Sequence, residues 1–151
     1  MLIEENIEIT AVALQFVLDH CRRVWPEEGC GFLFGREDGI RRISSFIPID
    51  NVAAEPTRSF TMHPQQMIGA LYGRGESTDR DKLKLLGIVH SHPLAPPIPS
   101  AHDLRSAWHT LPSQWIVSLA NDSEPLVRAY RYADIGGAAR QAVPLHIQVI
   151  G

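Results

Sequence analysis

Residues 83–90 (LKLLGIVH) are almost continuously apolar and run directly into His90-Ser91-His92-Pro93. A strand that is apolar on both faces belongs in the middle of a sheet, where both faces are covered. Side chains alternate along a strand with period two, so His90 and His92 are expected to point to one side and Ser91 to the other. Pro93 ends the ladder, because proline has no N–H to offer a neighbouring strand. The chain must therefore build its fold around a central strand that carries two imidazoles at its end.

The rest of the chain supplies neighbours for such a strand. Thr10 reads as an N-cap, and Leu14, Val17, Leu18, Cys21 and Trp25 follow with helical spacing, which predicts an amphipathic helix over residues 11–24 ended by Pro26. Residues 29–35 (GCGFLFG) read as a buried strand, and residues 41–49 alternate at Ile43, Ile47 and Ile49 as a strand paired to it across Gly39. Residues 51–59 read as a loop and 60–62 as a short strand. Pro64 suits the first position of a helix with Met67, Ala70 and Leu71 on one face. A third helix is expected to start at Ser100, with Leu104, Ala107, Trp108 and Leu111 on its inner face. Residues 115–120 and 126–132 read as a hairpin, and 143–150 as a last strand. Residues 73–82 and the proline cluster 93–99 are expected to be the flexible pieces. The total predicts an α+β fold, a mixed or antiparallel sheet of about six strands with three helices, in one domain spanning 1–151.

Bulk properties narrow the function classes. The formal net charge is −3 and no basic stripe appears, which argues against a nucleic-acid surface. No apolar run approaches the roughly 18 residues a membrane span needs. Residues 1–10 carry three glutamates and no Lys or Arg, the wrong sign for a signal peptide. The two cysteines, Cys21 and Cys30, form no CxxC and fit a reducing compartment, so a cytoplasmic location is expected. Cys30 reads as a small buried hydrophobe rather than a nucleophile. Ser91 lacks the G-x-S-x-G context of a serine hydrolase.

His90, His92, Ser100 and Asp103 fall within fourteen positions. Two imidazoles and a carboxylate are a ligand set for a metal ion with one position left open. Taken alone, the two histidines also fit one packed and one exposed side chain. Ser100 with Asp103 three residues on equally resembles a helix capping box. The two descriptions of Ser100 and Asp103 are compatible, because a helix N-terminus is a good place to hold an oxyanion or an ordered water. Glu27 and Glu28, by themselves, read as a solvated surface pair after a helix. His63 stands where an Asp cap would be more usual. His102 lies one helical step round from Asp103 and should point elsewhere.

The run HSHP-LAPPIP-SAHD (90–103) resembles the JAMM signature of the MPN+ metalloproteases. Residues 28–35 (EGCGFLFG) resemble the same family's ExCGxLxG element, Asn51 with Pro56, Phe60 and Pro64 its middle section, and Trp115 through Ser118 the strand after its metal site. The resemblance covers essentially the whole chain and points to the bacterial stand-alone branch, the sulfur-carrier-protein/cysteine peptidase-like group. It implies a curved mixed sheet of the MPN/JAMM, cytidine-deaminase-like type.

It also implies one zinc ion per chain on His90, His92 and Asp103. Glu28 would be the general base for a zinc-activated water, and Ser100 the hydrogen-bond donor to the oxyanion. The implied activity is hydrolysis of the amide bond after the C-terminal glycine of a ubiquitin-like or sulfur-carrier protein, or of its cysteine adduct. The tail of that substrate is expected to add as a strand beside the active-site sheet. A homodimer is compatible with these expectations. Two other functions compete: a non-catalytic MPN interaction module, and a metal-dependent hydrolase of a small amide.

Overall fold

A computed structural model describes residues 5–72, 83–121, 123–136 and 140–151. The elements in chain order are β1 (Asn6–Thr10), α1 (Ala11–Val24), β2 (Cys30–Glu37), β3 (Arg41–Ile49) and α2 (Pro64–Tyr72). There follow β4 (Lys84–His92), α3 (Ala101–Leu104), β5 (Ser113–Ser118), β6 (Leu126–Ala133) and β7 (Gln141–Ile150). The expected α+β class and three helices are found. The expected flexible segment 73–82 lies outside the described residues.

The sheet differs from the expectation. Seven strands close into a barrel in the order β1-β3-β2-β4-β5-β6-β7, rather than forming a curved sheet of six. The strand that sequence patterning overlooked is β1. It pairs parallel with both β3 and β7, and so closes the ring. Only Ile7 and Ile9 mark it, each fully buried between acidic and polar neighbours. Two alternations are too short a signal, and its partners lie far away in sequence. The segment 60–62 is not a named strand; its one ladder contact is a bridge from Met62 to Asn51.

The central strand is as expected, and longer. β4 runs through His92 and lies between β2, antiparallel, and β5, parallel. Residues 86–92 are all buried. β4 is thus paired on both sides along most of its length, with the β2 ladder ending at His90 and the β5 ladder running on to His92.

Two apolar clusters lie on the two faces of β2 and β4. Leu33, Val89, Trp115 and Val117 pack with Ala13, Val17 and Cys21 of α1. Cys30, Phe32 and Ile88 pack with Met62, before α2, and with Ala70 of α2, flanked by Trp108 and Leu111. Cys30 opposes His90 and Phe32 opposes Ile88, so His90 projects from the α2 face and Ser91 from the α1 face. Thr10 caps α1 by accepting from the Ala13 N–H at 3.2 Å. Gly35 is required where β3 crosses β2, because a Cβ there would collide with the Arg42 carbonyl.

The third helix is a single turn, not the longer helix expected from Leu104, Ala107, Trp108 and Leu111. Ser106 is the reason. Its hydroxyl accepts from the Trp108 N–H at 3.0 Å, a local bond that competes with helix continuation. Trp108 and Leu111 reach the α2-side cluster from turns instead.

Barrel closure by β1 is testable. Replacing Ile9 with Ala is expected to lower unfolding free energy by about 2–5 kcal/mol, as for other fully buried aliphatic truncations. Urea unfolding measures this, and a change near zero would mean that β1 does not pack as described.

Candidate metal centre

Three side chains from two elements converge at the end of β4. The Nε2 atoms of His90 and His92 lie 3.1 Å apart. Asp103 presents Oδ2 to His92 Nε2 at 3.1 Å and Oδ1 to His90 Nε2 at 3.3 Å. Strand alternation sets the first pair, and the α3 turn delivers the carboxylate. All three side chains are at most 10% exposed.

These spacings suit a small tetrahedral cation. Ligands about 2.0–2.1 Å from a zinc ion sit about 3.3 Å from one another along the tetrahedral edges. The protonation pattern points the same way. His92 Nδ1 lies 2.8 Å from the Pro96 carbonyl, which can only accept, so Nδ1 carries the proton. A neutral His92 then directs its Nε2 lone pair at the carboxylate. Lone pairs this close repel unless a proton or a metal cation lies among them. Without metal, the carboxylate draws a proton onto His92. Burial works to lower the pKa of His92, but the bonds to Asp103 and Pro96 raise it above the ordinary value. Burial works to raise Asp103, yet the two imidazoles hold it far below the usual carboxylate range.

Asp103 has a second task. Its N–H donates to Ser100 Oγ at 3.0 Å, and its Oδ2 accepts from the Ser100 N–H at 2.9 Å, a complete capping box. The cap and the cluster therefore use one carboxylate together. Ser100 Oγ acts as acceptor in this pair, which leaves its own proton to donate outward, and the residue is exposed. His102 is exposed and outside the three-ligand group, as expected.

Glu28 is buried, not a surface acid, at 7% exposure. Among the described residues its carboxylate forms no hydrogen bond or ion pair. Burial raises its pKa, while the nearby His90 and His92 work to lower it and Asp103 to raise it. Its backbone is held on both sides. The Glu28 N–H donates to the Pro56 carbonyl at 2.7 Å, and the Glu28 carbonyl accepts from Asn51 Nδ2 at 3.0 Å.

Asn51 is a residue whose part the sequence did not disclose. Its amide also donates to the Pro56 and Ser59 carbonyls, and its Oδ1 accepts from the Ala53 and Thr61 N–H groups. It thereby ties the loop after β3 to the segment carrying Glu28. Phe60 of that loop stacks on His90, with centroids 4.9 Å apart. Ser91 was expected only to face away from the histidines. It does so, and accepts from the Gly29 N–H at 2.7 Å, fastening β4 to the residue after Glu28. An asparagine opening a loop and a serine between two histidines are the only sequence signals of these parts. His63, which carried no functional weight, accepts from the Gln66 N–H and caps α2 itself. Cys30 is buried, with its thiol pushed up to about 12 by desolvation, the environment of a packed thiol rather than of an activated thiolate.

A cleft of about 660 Å³ opens beside Asp103, lined by Phe60, Met62, Met67, Arg105 and Trp108. No helix among the described residues is long and apolar enough to cross a membrane.

The chain belongs to the family described as prokaryotic homologs of the JAB domain, whose model matches residues 10–132. This bears out the JAMM/MPN+ resemblance of residues 28–35 and 90–103. A Thermus thermophilus protein named "Probable TtuB-protein conjugate cleaving protease" is 34% identical over 62% of this chain and 57% of its own length. A Haloferax volcanii protein named "Desampylase" is 32% identical over 68% of this chain and 74% of its own. The match to the Thermus protein thus spans little more than half of that relative. A solution structure from Desulfitobacterium hafniense superposes with a TM-score of 0.77 at 30% identity, over 95% of this chain and 92% of that one.

The burial of Glu28 predicts a stability change of known sign. A carboxyl whose pKa is raised on folding binds its proton more tightly in the native state. Stability then falls as pH rises from the ordinary glutamate value, about 4.3, through the raised one. The metal-free Glu28→Gln variant is therefore expected to melt above the unaltered protein at neutral pH. The advantage should vanish below the ordinary carboxylate range. Calorimetry across pH checks this, and a variant melting lower at neutral pH would contradict a desolvated carboxylate.

Proposed function

We propose that this chain is a zinc-dependent isopeptidase, with residues 1–151 as one catalytic domain. Its substrate would be a ubiquitin-like or sulfur-carrier protein joined through its C-terminal glycine to an amine, or the cysteine adduct of such a protein. The observation that carries the proposal is the convergence of His90, His92 and Asp103 at tetrahedral spacing near a buried Glu28. The names of the Thermus and Haloferax relatives support the substrate class.

His90, His92 and Asp103 would hold the ion, and Ser100 and Glu28 would serve the reaction. Bound zinc supplies Lewis-acid polarisation and an acidified water. The Glu28 carboxylate, whose pKa is raised by burial, would take a proton from the attacking water. The water oxygen bonds to the carbonyl carbon, and the Ser100 hydroxyl donates to the developing oxyanion. Glu28 then passes its proton to the leaving nitrogen as the C–N bond breaks, releasing a carboxylate and an amine. The cleft beside Asp103, lined by Phe60, Met62 and Trp108, would take the extended tail.

The purified protein is expected to bind about one zinc per chain, removable by chelation with loss of activity. Glu28→Gln should keep the metal and lose hydrolysis of a carrier-protein conjugate. Ser100→Ala should lower kcat by about 10²–10³ while retaining metal. Metal analysis and cleavage assays with carrier conjugates and free dipeptides provide the readout. Unchanged zinc content and activity in His92→Ala would refute the site. Full zinc occupancy without turnover of any conjugate would instead favour a binding module.

A further inference from the structure

We propose that Ser118 and Tyr130 are positioning residues for the metal centre. They pin the proline loop that holds His92 in the tautomer whose Nε2 lone pair faces the metal site. The proposal rests on the metal assignment of His90, His92 and Asp103.

The loop 94–99 (LAPPIP) lies between β4 and α3. Pro96, Pro97 and Pro99 have no N–H, so the loop can form few hydrogen bonds of its own. Leu94, Ala95, Pro96 and Ile98 are exposed, so apolar packing does little to hold most of the loop. Three consecutive strands of the barrel hold it instead. From β4, His92 Nδ1 donates to the Pro96 carbonyl at 2.8 Å. From β5, Ser118 Oγ donates to the Ala95 carbonyl at 2.6 Å. From β6, Tyr130 Oη donates to the Pro97 carbonyl at 2.6 Å. The Ile98 N–H also reaches the Pro96 carbonyl, closing a tight turn there.

The two hydroxyls thus bracket the carbonyl that His92 uses. Ser118 is the register partner of His92 and is buried, so it meets the loop from beside the ligand itself. Neither hydroxyl donates to His90, His92 or Asp103. Their effect must pass through Pro96. While that carbonyl stays in place, the ring proton stays on Nδ1 and Nε2 keeps its lone pair. If the loop shifts, the ring can carry its proton on Nε2, and that nitrogen is closed to a metal. Groups that orient a ligating histidine in this way are worth about 10–100-fold in metal affinity.

The test compares the unaltered protein with Tyr130→Phe, Ser118→Ala and Ser118→Thr. Zinc affinity is measured by competition with a chromophoric chelator. The His92 ring is read in the metal-free protein by ¹H–¹⁵N spectra at alkaline pH. Tyr130→Phe and Ser118→Ala are each expected to weaken zinc about tenfold and to add the Nε2–H form to the Nδ1–H form. Ser118→Thr, which keeps the hydroxyl, should restore both. Unchanged zinc affinity, or weaker zinc binding with the ring still wholly Nδ1–H, would overturn the proposal. If Tyr130→Phe fails to fold, the Ser118 pair still decides the question. If the unaltered protein takes up no zinc, the metal assignment itself falls, whereas the ring spectra still show whether the loop sets the tautomer.

Discussion

The last three residues of β4 place an imidazole, a hydroxyl and a second imidazole in a buried stretch, and each must find a partner there. An unpaired polar group in such a place costs free energy on the scale of a lost hydrogen bond or more. The rest of the site follows from that demand. Ser91 is met by the Gly29 N–H, which brings β2's entry against β4. His92 is met by the Pro96 carbonyl on one nitrogen and Asp103 on the other. His90 is covered by the Phe60 ring and meets Asp103 at its Nε2. Satisfying three side chains thus fixes four surrounding segments.

Asp103 shows how little structure is needed to aim a carboxylate. α3 is one turn long, and its cap bonds involve the same carboxylate that faces the histidines. A cap residue has its side chain oriented by the backbone it caps, so a longer helix would add nothing to its placement. The stop at Ser106 frees the following chain to turn and deliver Trp108 to the α2-side cluster.

Glu28 is held by the opposite means. Among the described residues its carboxylate has no direct partner, so its position rests on its backbone, clamped between Pro56 and Asn51. Burying a carboxyl with no partner among the described residues sacrifices stability, and desolvation raises its pKa. Strain of this kind is common where a group must stay reactive.

Much of this was legible in the chain itself. Local patterns carry α1, the β2–β3 pair, β4, the β5–β6 hairpin and the start of α2, because period and capping chemistry are properties of neighbouring residues. The spacing of His90, His92, Ser100 and Asp103 marked the site, since strand alternation and a capping box are likewise local. Barrel closure was not legible, because β1 is short and meets β3 and β7 only across long sequence separations. The end of α3 depended on a single serine hydroxyl. Burial of Glu28, the clamp of Asn51 and the bracket of Ser118 and Tyr130 around Pro96 arise from contacts between distant segments, and no local pattern encodes them. The sequence determined which groups could do the chemistry; the tertiary structure decided which lone pairs converge and which proton stays on His92, because those depend on distances that only the closed barrel sets.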